Sequence, residues 1–245
     1  DQIVKICDRN FIGCDQLIFI EPDSSADANL RFFNSDGGES GACGNGTRCV
    51  ANLISNEKNN KSIILNTLSG KLKSEILEKK IVTTEIGKAK LKWDEIPLSK
   101  EMDTKNLNIK IIDTNNNEHL GGTAINVGNP HIVFFVKKIE DFNIEKIGPE
   151  IENHEIFPEK CNVTIAQIFN KNLIKVKVWE RGAGLTKACG TAACATAYAG
   201  KLNNLTENKT DIEFATGKLS ISIDENDSIH MKGPVSNIKG INIKL

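Results

Sequence analysis

The chain has 245 residues, 39% of them apolar and 26% charged, with 31 Lys and Arg against 32 Asp and Glu and a formal net charge of −1. That is enough apolar material for a core in one large domain or two smaller ones, which excludes global disorder, and the even balance of charge excludes an electrostatic nucleic-acid binder. The longest clearly apolar stretch, residues 132–136, is far too short to cross a bilayer, and residues 1–5 show no basic region leading into an apolar run.

In chain order, a polar, Gly-containing loop at 35–41 leads into a predicted helix over Gly44–Lys58, where Cys49, Val50, Leu53 and Ile54 fall at helical spacing. Residues 81–86 read as a short β-branched strand and 115–117 as a hairpin or loop tip. Residues 173–179 alternate with period two and predict a strand. A second Gly loop, 180–184, precedes a second helix over Gly190–Leu202. That helix is built on Ala192, Ala193, Ala195, Ala197 and Ala199, residues that favour helix and let neighbouring backbones approach closely. Residues 218–223 read as strand and 224–227 as another tip.

Seven cysteines are an odd number, and the chain is not a short, Cys-dense secreted scaffold. A reduced, cytosolic protein is therefore expected. No Cys-x-x-Cys pair exists, and His119, His131, His154 and His230 are dispersed, so no zinc site is expected. Two cysteines stand apart by context. Ala42-Cys43-Gly44 and Ala188-Cys189-Gly190 each lie behind a Gly loop at a helix start, with Cys49 and Cys194 following inside the helices. This weak internal repeat predicts two similar halves, each a sheet around one helix. The other five, Cys7, Cys14, Cys49, Cys161 and Cys194, are expected to be buried small hydrophobes.

A helix start leaves backbone N–H groups unpaired and carries partial positive charge. A cysteine there is expected to have a lowered pKa, and a carboxylate can dock on the free N–H groups. If the two starts face one ligand carbon, one thiolate removes its α-proton while the other thiol protonates the opposite face, with neither metal nor pyridoxal cofactor required. On the residues alone, Asn129 reads as a turn residue before Pro130, and Asn34 and Asn162 read as loop residues. His131 reads equally as a satisfied core histidine or a catalytic one, and Arg48 as half of a structural ion pair. Arg181 is one of four arginines and sits between Glu180 and the Gly loop, which marks it for anion recognition.

Five stretches carry a resemblance to a known family. They are Phe33-Asn34-Ser35-Asp36-Gly37 running into Cys43-Gly44-Asn45-Gly46-Thr47-Arg48-Cys49; Asn126-Val127-Gly128-Asn129-Pro130-His131; Pro158-Glu159-Lys160-Cys161-Asn162-Val163; Trp179-Glu180-Arg181-Gly182-Ala183-Gly184-Leu185-Thr186 running into Ala188-Cys189-Gly190-Thr191; and, more weakly, Asp8-Arg9-Asn10-Phe11 with Asp15-Gln16. In order and spacing the chain resembles the diaminopimelate epimerases. The resemblance implies cofactor-independent interconversion of LL- and meso-2,6-diaminopimelate, on the route to lysine and peptidoglycan, in the cytoplasm. It places Cys43 and Cys189 as the acid/base thiols, and Gly44, Asn45, Gly190 and Thr191 at the α-carboxylate of the reacting centre. Glu180 would hold the reacting amine, and Asn34, Asn129, Asn162 and Arg181 the distal end. Gln16 matches a further substrate contact, and His131 and Glu180 match positions that tune the thiols.

The implied fold is α+β, with two pseudo-symmetric barrel-like halves each around a central helix, residues 1–90 plus 235–245 and residues 91–234. The last strand, 240–245, would return to the first half. No cofactor, metal, nucleic acid or membrane is implied, and a homodimer is held open. A proline-racemase-like enzyme also pairs two cysteines, but its first Cys is typically followed by Gly-His, where this chain has Gly44-Asn45. The family's opening strand and its His-Gly-x-Gly-Asn-Asp-Phe loop have no counterpart here, so an upstream strand and one more substrate Asn are expected.

Overall fold

Neighbouring parallel strands cannot be joined by a tight turn and need a crossover, which is most often a helix. Both helices predicted above fill that role. The computed structural model describes residues 2–41, 43–78 and 80–242. The chain divides into two compact units, Asp1–Glu85 with Lys232–Leu245, and Ile86–Met231.

In the first unit, α1 (Gln2–Cys7), β1 (Gln16–Glu21), β2 (Ala28–Asn34) and β3 (Glu39–Ser40) lead into α2 (Gly44–Lys58), followed by β4 (Ser62–Thr67), β5 (Gly70–Glu78) and β6 (Ile81–Lys88). The strand order is β1-β2-β4-β5-β6, with β3 on β2. β2 and β4 pair in parallel, with α2 the crossover between them, and β1–β2, β2–β3, β4–β5 and β5–β6 pair antiparallel. Strand alternation sends Leu30, Phe32, Ile63 and Leu65 to one face, where Val50 and Ile54 of α2 meet them. The helix stops at Asn59, whose φ of 51° is left-handed, a conformation that Asn tolerates well.

The second unit contains β7 (Ile109–Ile112), β8 (Glu118–Gly121), β9 (Thr123–Asn126), β10 (Pro130–Val136), α3 (Ile144–Glu152), β11 (Asn162–Asn170), β12 (Leu173–Glu180), β13 (Gly184–Thr186), α4 (Gly190–Leu202), β14 (Lys209–Phe214), β15 (Gly217–Ile223) and β16 (Ser228–Pro234). The order is β16-β15-β14-β12-β11-β10-β9, with β13 on β12, and β7 and β8 form a separate ribbon. Here β12 and β14 are parallel across α4, and β10 and β11 are parallel across α3. One face of the strands packs around α4 through Val133, Ala166, Val178 and Ile212. The other face packs Ile132, Phe134, Val163 and Ile165 against Ile144 and Ile147 of α3. Residues 192–200 of α4 are all buried. A helix enclosed on every side favours small side chains, which accounts for its five alanines, with Tyr198 the one large residue of that stretch.

The run β1-β2-β3-α2-β4-β5 recurs as β11-β12-β13-α4-β14-β15, with the same parallel and antiparallel senses throughout. The weak sequence repeat is thus a repeat of pairing, and the α+β, pseudo-symmetric architecture holds. The bounds of α2 and α4 coincide with the predicted helices, and residues 115–117 and 224–227 are tips of tight connections.

Other elements depart from expectation. α3 was not predicted, although Asn143 caps it by accepting from the Glu145 and Lys146 N–H groups and Ile144, Ile147 and Ile151 fall at helical spacing. Pro149 lies inside it and obscures the pattern. Residues 240–242 form no strand, and residues 243–245 of the expected last strand lie outside the described residues, as do Asp1 and Ala42. Cys14 and Cys49 are half-buried rather than core residues. Cys14 lies in the connection from α1 to β1, where its thiol donates to Cys7 Sγ at 3.4 Å. Among the described residues no helix is long and apolar enough to cross a membrane.

Gly148 of α3 lies directly under Trp179. A methyl group there would stand 2.5 Å from Cδ2 and 2.6 Å from Cβ of that indole. Gly148→Ala is therefore expected to destabilise the fold by about 1–3 kcal/mol or more, as overpacking does. A urea midpoint unchanged from the parent protein would contradict this packing.

Candidate active site

In the first unit, Cys43 occupies the N-cap of α2 in extended conformation, φ −144° and ψ 102°, and its Sγ accepts the Gly46 N–H at 3.3 Å. A β-carbon on Gly46 would stand 3.2 Å from that sulfur and 2.5 Å from Ile18 Cδ1, so glycine lets the first turn close on both. Gly44 is buried and Asn45 half-buried. Asn45 Oδ1 accepts from Arg48 Nη2 at 2.8 Å, and Arg48 Nη1 donates to the Gly44 carbonyl at 3.4 Å. Arg48 thus folds back over the turn that carries the cysteine.

Gln16 and Asn34 face each other in the β1–β2 register, and Gln16 Nε2 donates to Asn34 Oδ1 at 2.9 Å. Alternation puts Asn34 on the face of Leu30 and Phe32, and Gln16 on the face of Ile18, which packs against the same cluster as α2. The turn after Asn34 is closed by the Asn34 N–H bond to the Gly38 carbonyl at 2.9 Å, with Gly37 at φ 88°.

In the second unit, alternation places His131 on β10, Asn162 on β11 and Glu180 on β12 on the α4 face, in line with Val133, Ala166 and Val178. His131 and Asn162 are direct register partners. Cys189 caps α4 with φ −135° and ψ 118°, is 5% exposed, and lies 3.4 Å from Thr191 Oγ1. Gly190 is buried and Thr191 half-buried. Burial, and next the Glu180 carboxylate with its hydrogen bond to the thiol, push the Cys189 pKa well up, against the Thr191 hydroxyl and the Ala192 N–H. The lowered pKa expected at a helix start is thus overturned for Cys189. Removing a thiolate from water costs more than the end of a helix returns, and the adjacent carboxylate adds to that cost.

His131 is fully buried, with Nε2 2.8 Å from Asn129 Oδ1 and, among the described residues, no hydrogen-bond partner at Nδ1. Burial first, and the Arg181 cation second, push its pKa down to about 3. It is therefore neutral at physiological pH. Asn162 is buried and engaged at both ends: Nδ2 donates to the Pro130 carbonyl at 2.9 Å and Oδ1 accepts the Arg181 N–H at 3.0 Å. Arg181 is exposed, and its Nη1 donates to the Glu159 carbonyl at 2.8 Å.

No motif in the sequence singles out Glu152, at the end of α3. It is 6% exposed and accepts from Trp179 Nε1 at 2.7 Å and from the Gly182 N–H at 2.9 Å. Its signal would have been an acidic residue one position beyond the isoleucine spacing of α3. Among the described residues, no group of three or more His, Cys, Asp or Glu is placed to hold a metal ion.

A family model described as diaminopimelate epimerase matches residues 1–92 and 123–238. A diaminopimelate epimerase of Pelagibacter ubique is 69% identical over 245 residues, covering 100% of this chain and 89% of that protein. One from Sphingopyxis alaskensis is 42% identical over 230 residues, covering 94% of this chain and 82% of its own. Among solved structures, a hydroxyproline epimerase from Agrobacterium vitis with bound trans-4-hydroxy-L-proline aligns with a TM-score of 0.64 at 13% identity, over 89% of this chain and 71% of that one. At that identity the likeness is one of fold alone.

His131 makes stability depend on pH with a definite sign. Unfolded, the imidazole takes up a proton near its ordinary 6.5, and in the fold it stays neutral down to about 3. Between those values the unfolded state binds more protons, so this contribution is present above 6.5 and is lost as pH falls. In urea melts, His131→Gln should be less stable than the parent at neutral pH, with the gap narrowing toward about pH 4. A gap that widens on acidification would contradict a buried neutral imidazole.

Proposed function

We propose that this chain, which belongs to the diaminopimelate epimerase family, interconverts LL- and meso-2,6-diaminopimelate without a cofactor, moving one proton with two cysteine thiols. The observation that carries the reading is 69% identity over the whole chain to the Pelagibacter ubique protein of that name. The matched halves support it, because each sets a cysteine at the N-cap of its crossover helix.

The proposed chemistry begins with a weakly acidic α-carbon. One sulfur, as thiolate, forms an S–H bond with the α-proton while the C–H electron pair moves onto the α-carbon and its carboxylate. The other thiol then gives its proton to the opposite face, and exchange with solvent restores the starting charges. Carbanion formation puts charge on the carboxylate, where free N–H groups at a helix start stabilise it in place, at Gly44 and Asn45 and at Gly190 and Thr191. Cys189 holds its proton in this structure, which suits it as the donor when Cys43 is the base. We assign Glu180 to the ammonium group of the reacting centre. There it would stop acting as an unpaired anion beside Cys189, so substrate binding would lower that thiol's pKa.

Diaminopimelate carries two ammonium and two carboxylate groups, and a net-neutral set of Asn side chains with Arg181 suits its distal end. We place Gln16, Asn34, Asn129 and Arg181 in direct contact. Asn162 contributes through the Arg181 backbone that it holds, and His131 through Asn129. In this reading the halves are residues 1–90 plus 235–245 and residues 91–234. The protein works in the cytoplasm, where thiols stay reduced. A homodimer is the assembly to test by light scattering.

Cys43→Ala and Cys189→Ala should each reduce epimerisation by about 10²- to 10⁴-fold, the range for loss of one acid or base, while diaminopimelate still binds by calorimetry. Either variant turning over at the parent rate would sink the two-thiol mechanism.

A further inference from the structure

We propose that Glu152 is a positioning residue, holding the turn that presents Glu180 and Arg181. It rests on the reading of those two residues as substrate contacts. Glu152 is the last residue of α3, where an acidic side chain lies at the unfavourable, negative end of the helix. Helix stability therefore does not explain it. Nor is it at the surface, and a buried carboxylate is costly unless hydrogen-bonded donors compensate it. Both of its oxygens find a donor: Oε2 takes the Trp179 indole N–H and Oε1 the Gly182 backbone N–H.

Those two donors bracket Glu180 and Arg181 in the sequence. Trp179 lies on the face of β12 opposite Glu180, against Gly148 of α3. Gly182 and Gly184 have φ of 74° and 82°, a left-handed backbone that is soft for glycine. The Ala183 N–H bond to the Glu180 carbonyl, 3.0 Å, closes the turn from within, and Asn162 Oδ1 holds the Arg181 N–H. Glu152 fixes the same turn at both of its ends, on the residues that precede and follow Glu180 and Arg181. A carboxylate is required for this, since two N–H donors converge on it. Glutamine would offer one acceptor oxygen and set its own NH₂ against the second donor.

The test reads Cys189 alkylation by iodoacetamide, peptide by peptide in mass spectrometry, across pH in the parent, Glu152→Gln, Glu180→Gln and Trp179→Phe, with circular dichroism melts and steady-state kinetics beside it. Burial raises the Cys189 pKa first and the Glu180 carboxylate adds to it, so Glu180→Gln should move the alkylation midpoint down. Glu152→Gln should move it in the same direction with the melt largely retained, raise KM and lower kcat/KM by about 10- to 100-fold, the cost of a misplaced contact. Trp179→Phe, which removes the indole N–H donor and keeps a smaller aromatic ring, should give a smaller shift and serves if Glu152→Gln does not fold. A Cys189 profile identical to the parent in both Glu152→Gln and Trp179→Phe, with Glu180→Gln shifted, overturns the positioning role. Shifts in all three, in a parent protein that does not turn over diaminopimelate, would uphold the positioning role and overturn the functional reading instead.

Discussion

Each half of this chain depends on one helix that begins at a cysteine and is enclosed by the sheet whose parallel strands it connects. The enclosure sets the sequence. α4, buried throughout residues 192–200, consists there of five Ala with Cys194, Thr196, Gly200 and one large residue, Tyr198, while α2, enclosed on one face, keeps Val50 and Ile54 inside and Glu57 and Lys58 outside. The same enclosure sets the chemistry. A helix start has N–H groups that need an acceptor. Sulfur is a weak one, at 3.3 Å from the Gly46 N–H in the first half. An N-cap cysteine therefore leaves the first turn with donor capacity for a carboxylate, which an N-cap Ser or Asp would take up more fully.

Burial then decides the protonation states. His131 and Cys189 are driven in opposite directions on the pH scale by the same cause, withdrawal from water, and both end neutral. Glu180, the last residue of β12, and Arg181, the first of the turn that follows, bring a negative and a positive charge adjacent in the chain. A site for a substrate with balanced positive and negative groups is economical in this form, since each fixed charge has one ligand group to meet and no unpaired charge is buried behind it. Where a carboxylate is buried, at Glu152, two hydrogen bonds compensate it.

What was legible in the sequence was local. The spacing of Val50, Leu53 and Ile54, the alanines of α4 and the alternation of β12 are properties of neighbouring residues, and they located both crossover helices and the strand beside the second. The motifs located pairs that the structure brings together: Gln16 with Asn34, His131 with Asn129, Asn162 with Arg181, and Glu180 with Cys189. The parts that were not legible depend on distant residues. The helix-start rule predicts a lowered thiol pKa for Cys189, and only the fold shows the burial and the carboxylate that reverse it. Asn162 reads as a loop residue because nothing nearby reveals that its amide spans Pro130 and Arg181. Glu152 is ordinary in sequence, and its two partners lie 27 and 30 positions away.

The most direct test of the two-thiol mechanism is the fate of the α-hydrogen when LL-diaminopimelate is turned over in heavy water. With one thiol removing the proton and the other delivering a solvent-derived one, the meso product should carry one deuterium at the inverted carbon from the earliest time points, while recovered LL substrate stays unlabelled. Early meso product that retains the original protium, or recovered substrate that gains deuterium as fast as product forms, would contradict it.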